Sequence, residues 1–185
     1  MNPTRMRGFT LIELLIALAI FAFLVLLAGP TYSDFMGNTQ VRTVAENTLD
    51  GVRLAQIEAL KHNALARFTF TPATGWQVDY LFDETGLYVP VQSYKFQEGA
   101  SRTTQNPTPA DATQVTFNGL GRVVRPNPDL SPPIDRLDFS NTNVSAGARR
   151  PMRVVVSDVN ANAAIKLCDP DPGVAATDAR ACPPP

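Results

Sequence analysis

Hydrophobic and polar residues alternate along this chain in three regimes. From Phe9 through Ala28 the sequence is almost wholly apolar, and its one charge is the carboxylate of Glu13. From Thr31 to about Asn63 apolar positions recur every three or four residues. Val41, Val44, Ala45, Leu49, Val52, Ala55, Ala59 and Leu60 share one stripe, while Arg42, Glu46, Asp50, Arg53 and Lys61 mostly occupy the other side, as in an amphipathic helix. From Leu65 the period falls to two: Phe68 and Phe70 alternate with Thr69 and Thr71. Pro72-Ala73-Thr74-Gly75 then supplies turn chemistry, and Trp76, Val78, Tyr80 and Phe82 alternate with Gln77 and Asp79. This predicts a β-hairpin.

Further strands are expected at Val91 to Phe96, Gln114 to Phe117, Arg136 to Phe139, Met152 to Asp158 and Ala164 to Cys168, with Arg122 to Arg125 pairing back across Asn118-Gly119-Leu120-Gly121. Residues 99–112 and 125–133 are rich in Pro, Asn, Ser and Thr and read as irregular surface loops, either plain connections or places for recognition. A long helix followed only by short strands gives the class α+β, with the helix laid across an antiparallel sheet.

The apolar run itself is long enough to matter. At a rise of ~1.5 Å per residue it forms a rod about 30 Å long, the thickness of a bilayer's hydrocarbon core. Arg5 and Arg7 precede it, which places the N-terminus in the cytoplasm and everything after Ala28 outside. A secretory signal would carry its small-residue cleavage site after the apolar run, but there Ala28-Gly29 is followed by Pro30. A glycine, Gly8, stands before the run instead. Gly29-Pro30 separates the greasy half from the amphipathic half, and a proline that removes a backbone donor predicts a kink, either functional or a harmless bend at the membrane surface.

The order of parts, a short basic leader, Gly8, then Phe9-Thr10-Leu11-Ile12-Glu13 and an apolar stretch, resembles the class III signal of type IV pilins and pseudopilins. The resemblance implies a pilin-like fold, cleavage between Gly8 and Phe9 by a prepilin peptidase, N-methylation of Phe9, and extraction from the inner membrane into a helical filament. The resulting division is leader 1–8, transmembrane and assembly helix 9–29, amphipathic half 30–63, and a periplasmic β domain 64–185. An acid inside a membrane helix costs about 2.5 to 3.5 kcal/mol at the centre and marks a function by default. Glu13 can neutralise the new amine of Phe9 one turn away in the same chain. The family resemblance implies instead that it meets the amine of a neighbouring subunit and sets the stagger of the filament. A proline near position 30 is common among pilins, where the helix loosens on assembly.

More of the chain is similar to the GspH/FimT branch of minor pseudopilins and minor pilins. The residues that carry this are Leu54 to Leu60, Gly75-Trp76-Gln77-Val78, Phe117 to Arg122, Arg153 to Ser157 and Leu167-Cys168-Asp169-Pro170. The closing Arg180-Ala181-Cys182-Pro183 resembles the type IV pilus members more than the secretion ones. Some members of the branch bind DNA through a Gly-Arg-x-Arg element in the last hairpin. Here that place reads Asn162-Ala163-Ala164-Ile165-Lys166, with a single cation, which argues against DNA uptake. Arg149, Arg150 and Arg153 form a second basic cluster that could touch phosphates alongside Lys166, although a few arginines beside a strand more often make a solvated face.

Charge weighs the same way. The formal net charge is −1, and removing residues 1–8 takes away two arginines and no acid, leaving 14 basic against 17 acidic residues, net −3. Nucleic-acid binders are usually basic. Cys168 and Cys182 are the only cysteines, and in an oxidising periplasm a disulfide between them is expected, worth about 3 kcal/mol through chain entropy. They lack the further ligands a zinc site requires. Asp169, Asp171 and Asp178 do not have calcium-loop spacing and read as turn and surface acids.

Nothing suggests catalysis or a cofactor. The single histidine, His62, reads as a surface residue without a nucleophile beside it, and Asp79, Asp83 and Glu84 read as solvated acids at a strand end. The expectation is therefore a minor pilin of the inner membrane that helps initiate or build a type IV pilus. Its partners would be sister minor pilins, the major pilin, the prepilin peptidase and the inner-membrane assembly platform. The alternatives are the equivalent pseudopilin of a type II secretion system and, less favoured, a DNA-binding pilin.

Overall fold

The structure, a computed structural model, describes residues 9–82, 86–96, 102–157, 164–175 and 177–183, with the side chains at 27, 28 and 30 excepted. Helix α1 runs from Leu11 to His62. Thr10 caps its start, with Oγ1 accepting from the N–H of Glu13 at 3.3 Å. Asn63 closes the other end in the left-handed region (φ 47°), its N–H directed at the carbonyls of Ala59 and Leu60. The axis bends by 41° between Leu11–Leu26 and Thr31–His62, across the Gly29-Pro30 pair. Among the described residues no single helix is long and apolar enough to cross a membrane, whereas this bent pair passes by length and composition.

Among the described residues the strands that follow are β1 (Ala66–Thr71), β2 (Gly75–Phe82), β3 (Leu87–Lys95), β4 (Thr104–Thr108), β5 (Gln114–Phe117), β6 (Arg136–Ser140), β7 (Met152–Ser157) and β8 (Ala164–Cys168). They form two four-stranded antiparallel sheets, ordered β3-β2-β1-β5 and β4-β6-β7-β8. The second half of α1 packs on both. The expected stripe is the buried one: Val41, Val44, Ala45, Leu49, Val52, Ala55 and Ala59 join Phe68, Phe70, Val78, Phe117, Leu137, Phe139 and Val154 in one core. Leu60 departs from it and is exposed, although Ala59 beside it is fully buried.

Gly51 sets the closest approach of helix to sheet. A Cβ there would lie 2.8 Å from Phe68 Cε2 and from two ring carbons of Trp76. Gly37 plays a similar part lower down, where a Cβ would come within 2.5 Å of Val144 Cγ2. Segment 141–150 is tied to the helix at this level. Asp34 accepts from the N–H of Ser145, and the Asn38 side chain donates to the Ala148 carbonyl while accepting from the Arg150 N–H.

Several expectations change. Thr104–Thr108, inside the segment read as a loop, is strand β4, pairing with β6 over its full length. Its polar sequence has no period of two that stands out, and the ladder with β6 supplies what composition does not. Arg122 to Arg125 is not a strand: a single bridge links Val123 to Phe117, and Val124 donates to Thr116. Pro126 has no N–H to give a ladder, and the chain enters the loop in which buried Asn127 bonds back to β5. Strand β3 also starts earlier than expected, at Leu87. Asp83, Glu84 and the stretch 97–101 lie outside the described residues.

Candidate functional site

Among the described residues the apolar half of α1 is exposed, from Phe9 and throughout Leu11 to Leu26. Among the described residues Glu13 has no ion-pair partner, and its backbone is held by the Thr10 cap at the positive end of the helix dipole. Thr10 and Glu13 thus stand at the N-cap and N3 positions of a capping-box pattern. Gly8 lies outside the described residues.

The four candidate cations are not equivalent. Arg149 is consumed by its own loop, with Nε donating to the Val144 carbonyl and an Nη to the Thr142 carbonyl, both at 2.9 Å. Arg153 is paired with Asp138 across β7 and β6. Lys166 Nζ donates to the Ala181 carbonyl at 2.9 Å. Only Arg150 keeps a guanidinium without a partner among the described residues, at the mouth of a groove between α1 and the C-terminal loop. Of the Asn162 to Lys166 element, Asn162 and Ala163 lie outside the described residues.

Cys168 and Cys182 are bonded, with their Cα atoms 4.9 Å apart. The tail returns beside β8, the Asp169 N–H donating to the Arg180 carbonyl at 2.8 Å. The three acids of this loop are spent locally. Asp169 and Asp171 each accept from the backbone two residues on, and Asp178 holds the Arg180 guanidinium. That hydrogen bonding with Arg180 lowers the Asp178 pKa to about 2.

Two residues behave differently from the sequence reading. His62 is partly covered rather than a plain surface residue: its ring stacks on Tyr80 with centroids 3.8 Å apart, and Nε2 lies 3.2 Å from the buried carboxylate of Glu58, which also receives Lys61. Asp79 is not a solvated strand-end acid. It is 2% exposed and takes a two-pronged bond from Arg67, at 2.6 and 3.1 Å, across the β1–β2 ladder. The Arg67 guanidinium lies over the Tyr88 ring at 3.8 Å. Burial pushes the Tyr88 phenol up, opposed by the charge of Arg67 and assisted by Asp79 and Asp129. The signal available in sequence was the spacing that places Arg67 opposite Asp79 once the Pro72–Gly75 turn fixes the register.

The bare helix and the two-sheet domain match two known sequence families. The prokaryotic N-terminal methylation motif covers residues 3–29. The family described as type II transport protein GspH covers residues 44–175, well over half of the chain. The chain belongs to the GspH family. Similar solved structures include the type IV minor pilin FimU of Pseudomonas aeruginosa, 15% identical, with a TM-score of 0.48 over 71% of this chain and 92% of that one. Another is the minor pseudopilin EpsH of the type 2 secretion system of Vibrio cholerae, 12% identical, with a TM-score of 0.49 over 70% of this chain and 97% of that one. No curated protein sequence matches the chain. As a GspH-family protein with a methylation motif, it is a pilin-type subunit, a minor pilin or pseudopilin, and its bare N-terminal helix fits a membrane-anchored component of such an assembly.

Proposed function

We propose that this GspH-family protein is a minor pilin that primes or caps a type IV pilus, processed between Gly8 and Phe9 and methylated on Phe9. The observation that carries the reading is one continuous helix that joins a methylation motif, with its apolar side chains bare, to a folded GspH domain. Bare apolar residues on all sides of a rod find cover only in lipid or among like helices. The chain would cross the inner membrane once with its N-terminus in the cytoplasm and its β domain in the periplasm. The prepilin peptidase and the assembly platform would act on it there, before it joins sister minor pilins and the major pilin. Its role is structural rather than catalytic.

Glu13 would pair with the amine of a neighbouring Phe9 during docking. Intact-mass measurement of native protein tests the processing: a terminus at Phe9 carrying one methyl group is expected, and an uncut leader refutes it. Glu13→Ala should still insert and be cut but fail to enter the assembly, and wild-type incorporation of that variant would remove the proposed role. The bend at Gly29-Pro30 would let the helix adjust as it leaves the membrane.

A second reading is favoured by the family's own description as a type II transport protein. In it the subunit belongs to a short secretion pseudopilus. Deleting the gene separates the two, since loss of surface pili supports the first and loss of exported hydrolases with pili intact supports the second.

A further inference from the structure

The connection from β6 to β7, residues 141–150, belongs to neither sheet. It is braced by its own bonds: Arg149 donates to the Val144 and Thr142 carbonyls, and Asn141 Oδ1 accepts from the Asn143 N–H at 2.9 Å. Three further bonds converge on one turn of α1. Asp34 Oδ1 accepts from the Ser145 N–H at 3.0 Å, and the Asn38 side chain donates to the Ala148 carbonyl at 2.8 Å while accepting from the Arg150 N–H at 2.9 Å. Between these two helix residues the buried Val144 lies against Gly37, so close that a Cβ on that glycine would come within 2.5 Å. Among the described residues Gly37 is the first buried position of α1, and the next is Val41, where the core stripe begins.

The stretch just before this contact is built to give way. Pro30 has no N–H to offer the Leu26 carbonyl, and glycine is the weakest helix former after proline. Packing does not require the glycine beside it, since a Cβ at Gly29 would meet nothing within 4 Å. The helix bends by 41° across this pair. Thr31, Tyr32 and Ser33, which follow, are exposed, so burial does not hold them. A helix opened at one point frays onward at the cost of one hydrogen bond per residue until a tertiary contact resists. From Pro30 to Asp34 is about one turn, roughly 6 Å.

We propose that residues 141–150 form a clasp that sets where the pliable part of α1 ends. Unwinding that starts at Gly29-Pro30, when the apolar half is drawn from the bilayer, runs up to Asp34 and stops there, and the stripe from Val41 onward stays seated on both sheets. The inference rests on the membrane-anchored reading above and adds to it a boundary between the part of the subunit that yields and the part that stays rigid.

The test is hydrogen exchange, read by mass spectrometry, on the full chain in nanodiscs of mixed phosphatidylethanolamine and phosphatidylglycerol. In wild type the amides of residues 31–34 should exchange fast and those of 36–40 slowly. Asp34→Ala combined with Asn38→Ala should speed exchange at 36–40 about tenfold while β1, β2 and β7 keep their rates. Adding Gly29→Ala and Pro30→Ala to that variant should return 36–40 to near the wild-type rate, because the opening has lost its starting point. Arg53→Ala, an exposed change on α1 away from the clasp, should match wild type. Unchanged exchange at 36–40 in the double variant overturns the clasp. So does acceleration that persists once Gly29 and Pro30 are replaced, that spreads equally over the β domain, or that also follows Arg53→Ala, since each makes the contact an ordinary brace rather than a stop. Slow exchange at 31–34 in wild type overturns it as well. A chain that never enters the nanodisc defeats the membrane reading, a failure seen before any exchange is measured, and takes the inference with it.

Discussion

Gly51→Val tests how tightly the assembly helix is seated on the β domain. The new Cβ would sit 2.8 Å from ring carbons of both Phe68 and Trp76, roughly 1 Å inside the usual carbon–carbon optimum of about 3.5–4.0 Å. Neither ring has room to retreat. Phe68 is fully buried and packs near Phe70, and Trp76 is backed by Tyr94 at 5.8 Å. The helix must therefore move away, a form of overpacking that costs about 1–3 kcal/mol. Against this stands a gain of a few tenths of a kcal/mol, about the difference in helix propensity between Gly and Val. The net expectation is destabilisation of about 1–2.5 kcal/mol, which lowers the melting temperature of a domain of this size by roughly 3–8 °C. Thermal unfolding of a version beginning at Thr31, followed by circular dichroism, measures this. A variant as stable as wild type would refute the close seating of α1 on β1 and β2.

The Arg67 and Asp79 pair should be asymmetric: Arg67→Ala, which strands a buried carboxylate, costs about 3–4 kcal/mol, and Asp79→Ala about 2 kcal/mol because the guanidinium keeps access to water and Tyr88. Denaturant melts of the two variants rank them, and the reverse order would be a refutation. Cys168→Ser with Cys182→Ser should lose up to about 3 kcal/mol of chain-entropy stabilisation and speed tryptic cleavage after Arg180, read by peptide mass. Asp178 should titrate near pH 2 in the folded protein, against its ordinary 3.8, and return toward the ordinary value in Arg180→Ala, as followed by carboxyl NMR shifts. Because its folded pKa is the lower one, whatever stability it lends is present above about pH 4 and is lost as pH falls toward 2.

The period of apolar residues made much of this architecture legible. Val41 to Ala59 at spacings of three and four became the buried stripe, and the alternation around Pro72–Gly75 became the β1–β2 hairpin with Arg67 opposite Asp79. Periodicity reports burial on one face, so it works where a face is half-buried and fails where both faces are polar. Thr104–Thr108 was missed for that reason, since Thr104 and Asn106 are exposed and the segment is a strand only because β6 offers a ladder. The individual fates of Arg149, Arg150, Arg153 and Lys166 were equally hidden, because they depend on which carbonyl or carboxylate the fold brings within reach.

Sequence alone determined that this chain carries a rod of bare apolar side chains with one acid near its start, joined to a helix that must be covered on one side. Those are local properties, fixed by residue type and by the 3.6-residue turn of a helix. Tertiary structure decided that the described strands divide into two sheets, that Asp79 and Glu58 are buried with cationic partners, and that the Arg150 guanidinium has no partner among the described residues. Those outcomes depend on contacts between residues as far apart as Asn38 and Arg150, and no local pattern encodes the distance between them once the chain has closed.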